Sequence, residues 1–188
     1  MISNITGVVT DIETSRIVLQ IHENLGLSVI IPPAYVKNDQ SNLKLNQVIK
    51  LYTIIRIKEE EFLLYGFKTP EERNLFIELI AINGVGPRIA LSIIGNLGVN
   101  GLYEAISNGN LIAFKSISGV GDKTAKRILI EFKAQIPSFP TELFDALSSM
   151  GFRRNEIYEV WSKLIRDKTD IHLGNEELVK LFLRYLKK

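Results

Sequence analysis

The first third of the chain carries short apolar runs in which apolar and polar positions partly alternate. These runs are rich in Val, Ile and aromatic residues. They are punctuated by Gly7, by Asn24-Leu25-Gly26 and by Pro32-Pro33. The pattern predicts strands over residues 5–12, 17–21, 27–31, 48–57 and 62–67. Five short strands in so short a stretch favour a small β-barrel such as an OB-fold. A generic antiparallel sheet with no binding role is the alternative.

The spacing of apolar residues becomes helical after residue 67. Pro70-Glu71-Glu72 is typical of a helix start, because proline is tolerated in the first turn and acidic side chains favour the positive end of the helix dipole. The stripe that follows consists of Leu75, Phe76, Leu79 and Ile80. Further helices are predicted over residues 87–95, 99–107, 110–115 and 122–135.

Pro137-Ser138-Phe139-Pro140 interrupts the helical pattern and marks a boundary. Three more amphipathic helices are predicted beyond it, over residues 141–149, 154–167 and 174–187. A bundle this small buries little surface, so Trp161 is expected in its core. The fold class is therefore multidomain α+β, with domains at 1–67, 68–136 and 141–188 and a linker at 137–140.

One short stretch of the chain occurs twice. Asn83-Gly84-Val85-Gly86-Pro87-Arg88 is followed, 35 residues later, by Ser118-Gly119-Val120-Gly121-Asp122-Lys123. Glycines at a turn between two helices allow close approach to a ligand, and the N–H groups of the following helix face outward. A basic residue beside such a turn makes a site for a backbone phosphate. The simplest alternative is a turn that only joins two helices.

Composition adds limits to these interpretations. The 188 residues have a net charge of +2, so any binding to nucleic acid depends on the placement of charge rather than on its total. Cysteine is absent, which fits a reducing compartment. No signal peptide and no membrane-spanning run is recognised. A cytoplasmic location is expected.

The residues suggest no catalytic group. Gly121-Asp122-Lys123-Thr124 departs from a nucleotide-binding P-loop, since Asp122 separates the glycine from the lysine. A DNA glycosylase anchored by helical hairpins is the enzymatic alternative: Lys123 and Lys126 follow the second hairpin, but nothing in the sequence indicates the apolar base pocket that such an enzyme needs. A scaffold that binds only proteins is a third possibility. No cofactor and no metal ligand set is predicted.

The order and spacing of several motifs resemble the RuvA family, the Holliday-junction-binding subunits of the bacterial branch migration complex. The motifs are Leu63-Leu64-Tyr65-Gly66-Phe67, Glu71-Glu72-Arg73 with Leu75-Phe76, and the two hairpin sequences with Arg127. The resemblance implies an OB-fold domain, a domain with two helix-hairpin-helix motifs and a C-terminal, UBA-like domain of three helices. It also implies a non-catalytic homotetramer, or an octamer, that holds four-way junction DNA open. The implied partners are the hexameric ATPase RuvB, which would carry the ATPase site, and a RuvC-type resolvase.

The resemblance assigns roles to individual residues. The implied DNA contacts are Gly84, Gly86, Arg88, Gly119, Gly121, Lys123, Thr124, Lys126 and Arg127. Glu59 and Glu60 would form an acidic pin that repels phosphates at the junction centre, whereas the residues alone favour an ordinary charged turn. Leu147, Met150 and Phe152 would contact the ATPase. Asp122 stands where the family is often basic, so weaker phosphate binding is expected at the second hairpin.

Overall fold

Five strands near the start of the chain close into a barrel. The computed structural model describes residues 2–37, 43–58, 61–135, 140–153, 156–157, 160–161, 163–164 and 173–186. The strands are β1 (Asn4–Ile12), β2 (Arg16–His22), β3 (Leu25–Ile30), β4 (Val48–Lys58) and β5 (Glu61–Phe67). Their order around the barrel is β1-β2-β3-β5-β4, and antiparallel pairing of β4 with β1 closes it. The predicted OB-like barrel is confirmed.

Gly7 and Gly26 both lie inside strands, as predicted for Gly7 within the strand over residues 5–12 but not for Gly26. Gly7 belongs to β1, where a Cβ would lie 2.7 Å from the carbonyl oxygen of Gln20 on β2. Leu25 and Gly26 begin β3, and Gly26 pairs with Gln20. At these positions glycine allows neighbouring strands to pack closely and does not reverse the chain. A pattern of apolar and polar residues does not show which of these two roles a glycine has.

A short helix, α1 (Ala34–Lys37), follows the two prolines and connects the barrel to the helices. The Tyr35 hydroxyl donates a 2.7 Å hydrogen bond to Oε2 of Glu72, which also accepts from the backbone N–H groups of Lys68 and Thr69. Burial and the nearby Glu72 carboxylate raise the pKa of Tyr35 above its ordinary value. The hydrogen bond from Tyr35 to Glu72 therefore connects α1 to the first turn of the helical region.

Strand β5 lies between two hydrophobic cores. Leu64 belongs to the barrel core, whereas Tyr65 and Phe67 belong to the core of the helices. The rings of Tyr65 and Phe67 lie 4.9 and 5.0 Å from the ring of Phe76, measured between centroids. Both faces of β5 are therefore covered, which explains why its four C-terminal residues are all buried.

The central helices are α2 (Pro70–Ala81), α3 (Pro87–Ser107), α4 (Leu111–Lys115) and α5 (Asp122–Gln135). Thr69 and Glu72 form a capping box at the start of α2. Gly98 breaks α3 with φ 63° and ψ −174°, so the two helices predicted there are present. By length and composition α3 could cross a membrane, but Ile93 and Ile94 are buried among the other helices.

The C-terminal segment contains α6 (Thr141–Ser149) and α7 (Asn175–Leu186). Between them, the described residues 156–157, 160–161 and 163–164 are helical; the remainder of the helix predicted over 154–167, and linker residues 137–139, lie outside the described residues. Trp161 is 3% exposed and stacks on Phe182 with a centroid separation of 6.2 Å, so its predicted core position is confirmed. The multidomain α+β class is confirmed as well, while the domain boundaries stay a prediction.

Candidate nucleic-acid interface

The two repeated stretches form hairpins with the same backbone hydrogen bonds. In the first, the N–H of Val85 donates to the carbonyl of Ile82 at 3.0 Å, and in the second Val120 donates to Ile117 at 3.0 Å. The bonds that begin the following helices also match: Ala90 to Gly86 at 3.0 Å, and Ala125 to Gly121 at 2.9 Å. The sequence repeat is therefore a repeat of structure.

Burial anchors the centre of each turn. Val85 and Val120 are 4% and 6% exposed, and Ala90 and Ala125 are fully buried. Each valine is buried in the core of the helices, while the glycines on either side of it are exposed. The apolar residues of the repeat thus form the support of the turns, and its glycines form the exposed surface.

The first glycine of each turn is required by the backbone. Gly84 has φ 89° and Gly119 has φ 88°, which is the left-handed region that favours glycine. The turns pack against each other's helices: a Cβ at Gly84 would lie 3.6 Å from Arg127 of α5, and one at Gly119 would lie 3.7 Å from Ile89 of α3. Each turn therefore lies close to a helix of the other hairpin.

The second glycine of each turn has no such internal reason. Gly86 has φ −85°, and neither it nor Gly121 is among the glycines with positive φ. A Cβ at either position would meet no atom within 4 Å. Gly86 is the N-cap of α3, a position that glycine favours, and the open space beside both glycines leaves room for a group that approaches the backbone from outside.

Basic side chains surround the two turns. Arg88, Lys123 and Lys126 are exposed, and Thr124 is half-buried on the first turn of α5. The first turn of α3 contains no acidic residue, and its N-cap Gly86 makes no side-chain capping bond. The free N–H groups at this helix start are therefore available to an anion.

Arg127 has a structural contact that the repeat did not predict. Its Nη1 donates a 2.7 Å hydrogen bond to the carbonyl oxygen of Asn83, in the turn of the other hairpin. The sequence predicts Arg127 as a DNA contact. In the structure its side chain also connects the two hairpins. A guanidinium has five N–H donors, so this bond leaves others for a phosphate.

Asp122 also has a partner outside the repeat. Nζ of Lys115, the last residue of α4, lies 2.8 Å from Oδ1 of Asp122. The hydrogen bond and charge of Lys115, with a smaller contribution from Lys126, hold the pKa of Asp122 below its ordinary value. The negative charge that was expected to weaken the second hairpin is balanced by a lysine.

A groove of about 700 Å³ lies beside the hairpins and reaches the barrel. Arg88 lines it together with Ser116 and Ser118 of the second hairpin region. Thr14 and Ser15, from the turn between β1 and β2, line its other wall. Thr14, Ser15 and Ser116 were not among the predicted site residues, and no motif in the sequence indicates them.

The two remaining predicted sites differ in what the structure describes. Glu59 and Glu60 lie outside the described residues. Leu147 is fully buried in the C-terminal core, so its side chain has no surface to offer a partner. Met150 is 51% exposed and Phe152 is half-buried, and these two remain available for the predicted contact.

Within the described ranges, no group of three His, Cys, Asp or Glu side chains is placed to hold a metal ion. The hairpin face instead combines bare backbone, free N–H groups and positive charge. This combination can bind a ligand that carries a row of anionic groups, such as the phosphates of an extended nucleic-acid strand.

Known proteins resemble this chain both in the barrel and in the region that contains the two hairpins. A family model described as the RuvA N terminal domain matches residues 1–66, and one described as a SAM-like helix-hairpin-helix tandem matches residues 76–134. A relative from Thermoanaerobacter sp. (strain X514) is 30% identical, with 100% of each chain covered. One from Thermodesulfovibrio yellowstonii is 33% identical over 90% of each chain, and one from Nautilia profundicola is 39% identical over 70% of this chain and 72% of its own.

All three relatives are called Holliday junction branch migration complex subunit RuvA. Similarity extends from the barrel through both hairpins to the C-terminal helices, because the first alignment covers each chain completely. The chain belongs to the RuvA family.

Proposed function

We propose that this protein is the DNA-binding subunit of a Holliday junction branch migration complex. The observation that carries the proposal is the pair of matched hairpins, whose second glycines are exposed, face open space and stand next to Arg88 and Lys123. The names of the relatives support the choice of junction DNA as the ligand.

The two hairpins of each subunit together bind the phosphate backbone of one DNA arm. Gly86 and Gly121 allow a phosphate to approach the main chain, and N–H groups at the starts of α3 and α5 donate to its oxygens. Arg88 and Lys123 add charge, and the bond from Arg127 to Asn83 keeps the spacing of the two hairpins constant. Contacts of this kind position the duplex without reading its base sequence.

Four subunits assemble around one junction, and a second tetramer can add to give an octamer. Glu59 and Glu60 form an acidic pin that repels phosphates near the centre and guides strand separation. The C-terminal domain recruits a RuvB-type hexameric ATPase through Met150 and Phe152, and this chain contributes no catalytic group. The complex acts in the cytoplasm, where a RuvC-type resolvase is a further partner.

Binding measurements with a four-way junction, a linear duplex and a single strand of matched sequence test the proposal. The expected result is a clear preference for the junction, at fixed salt and with unlabelled duplex as competitor. A base-excision product formed without any ATPase would favour the glycosylase alternative. Absence of binding to all three DNAs would favour the protein scaffold.

A further inference from the structure

The β4–β5 hairpin carries one apolar face beyond the end of the barrel. Residues directly opposite in the ladder share a face, and Ile55 with Leu64 points toward the barrel core. The next pair on that face is Ile57 with Phe62, two residues further along each strand. Their exposed fractions are 68% and 75%. The core-facing row thus continues into solvent with nothing over it among the described residues.

The other face of the same hairpin differs in character. Leu63 packs against the core of the helices, and its opposite residue Arg56 is exposed. A cation and an aromatic ring therefore stand at adjacent ladder positions, on opposite faces of one ribbon. The ring of Phe62 is an exposed aromatic group of the kind on which the bases of single-stranded nucleic acid stack, and the Arg56 cation lies on the opposite face.

The size of the apolar patch favours a base over a protein surface. Two exposed side chains offer at most about 400 Å². A stable protein interface needs about 800 Å² from each partner. A single unpaired base, in contrast, is covered by one aromatic ring. The patch is thus suited to a flat aromatic ligand of nucleobase size.

We propose that Phe62 is a stacking platform for an unpaired base at the centre of the junction, with Ile57 supporting the edge of the same base. The inference rests on the proposed function, which places this hairpin at the crossover. The pin residues repel phosphates, and Phe62 supplies an attraction that duplex DNA cannot use, because its bases are already stacked. Selection of open junctions then has an attractive part as well as a repulsive part.

A thermodynamic cycle between protein and DNA tests this stacking. Junctions with abasic residues at the crossover are compared with intact junctions, using the wild-type protein and the Phe62→Leu and Phe62→Tyr variants. Leucine keeps the apolar volume and removes the ring, and tyrosine keeps the ring. Val48→Ala, at the opposite end of β4 and 66% exposed, is the matched surface control. Light scattering follows the oligomeric state of each protein.

The expected loss of junction affinity is about 5- to 100-fold for Phe62→Leu. Abasic crossover residues should cost the wild-type protein a similar factor, and the two changes together should cost no more than either alone. Phe62→Tyr and Val48→Ala should bind as the wild type does. Independent, multiplicative losses, or dissociation of the assembly by Phe62→Leu, would overturn the proposal, the latter in favour of a second copy as the occupant. A wild-type protein without junction preference would refute the proposed function itself.

Discussion

Arg127 Nη1 lies 2.7 Å from the carbonyl oxygen of Asn83, and this bond joins the helix of the second hairpin to the turn of the first. The two residues are 44 positions apart in the chain. The turns of both hairpins also bury Val85 and Val120 in the same hydrophobic core. The bond adds a polar contact to that packing and helps to hold the two anion sites at a fixed spacing.

Replacement of Arg127 by alanine should reduce both stability and DNA binding. The variant loses a hydrogen bond from a charged donor, and because the side chain is only half-buried we expect a cost of about 1 kcal/mol in the free energy of unfolding. Chemical denaturation measures this cost. Lys126→Ala removes an exposed neighbour of equal charge and is the control; equal unfolding midpoints for the two variants would show that the bond contributes nothing.

Arg88→Ala and Lys123→Ala should each weaken binding to junction and duplex regardless of sequence. Both side chains bind phosphate in the proposed complex, so each substitution should lower the slope of log affinity against log salt by about one unit. Titrations at several salt concentrations measure the slope. Lys44→Ala is the control of equal charge in the barrel domain. A double variant with the salt dependence of the wild type would rule out the hairpin clamp.

Substitution of the first glycine of a turn should reduce stability, whereas substitution of the second should reduce DNA binding. Gly84→Ala places an L side chain at φ 89° and should cost about 1–2 kcal/mol in the free energy of unfolding. Gly86→Ala meets no atom within 4 Å, and its poorer helix cap is offset by the smaller entropy of the unfolded chain. Thermal unfolding should therefore barely change for Gly86→Ala, while junction affinity falls. If Gly86→Ala bound DNA like the wild type, close approach of phosphate at that turn would be refuted.

Glu59→Gln combined with Glu60→Gln should tighten junction binding. The change removes two negative charges per subunit, and like charges at close range in poorly hydrated surroundings cost on the order of 1 kcal/mol or more per pair. Linear duplex should also compete better, since repulsion at the centre rejects uninterrupted DNA. Glu176→Gln with Glu177→Gln makes the same charge change on exposed positions of α7. Identical behaviour of the two double variants in a competition assay would leave Glu59 and Glu60 as an ordinary solvated turn.

The ion pair of Asp122 with Lys115 should persist into acid. Because the folded-state pKa of Asp122 is depressed, the stabilisation by this pair is present above the pKa of the unfolded chain and is lost as pH falls through the lower folded value. An NMR titration of the Asp122 carboxyl measures that pKa. Lys115→Ala should return it toward the ordinary value, whereas Lys44→Ala should leave it unchanged. A pKa insensitive to Lys115 would mean that the 2.8 Å ion pair does not form in solution.

Local signals in the sequence were sufficient for the five strands, for the central helices and for the repeated turns, whereas the short helix α1 (Ala34–Lys37) was not predicted. Alternation indicated the strands, the 3.6-residue spacing indicated the helices, and the offset of 35 residues related Gly84 to Gly119 and Arg88 to Lys123. These properties depend on a few neighbouring residues, and backbone preference is a local quantity. Gly26 was placed outside its strand because a glycine that ends a strand and one that faces a neighbouring strand look alike in sequence.

Contacts between distant parts of the chain were decided only by the tertiary structure. Nothing local relates Arg127 to Asn83, or shows that Lys115 would neutralise Asp122. The burial of Leu147 and the exposure of Phe62 are equally nonlocal, because both are apolar residues in regular elements and only the surrounding chain determines which of them is covered. Local pattern specifies which elements form, whereas the charge balance and spacing of the hairpins arise from packing between elements.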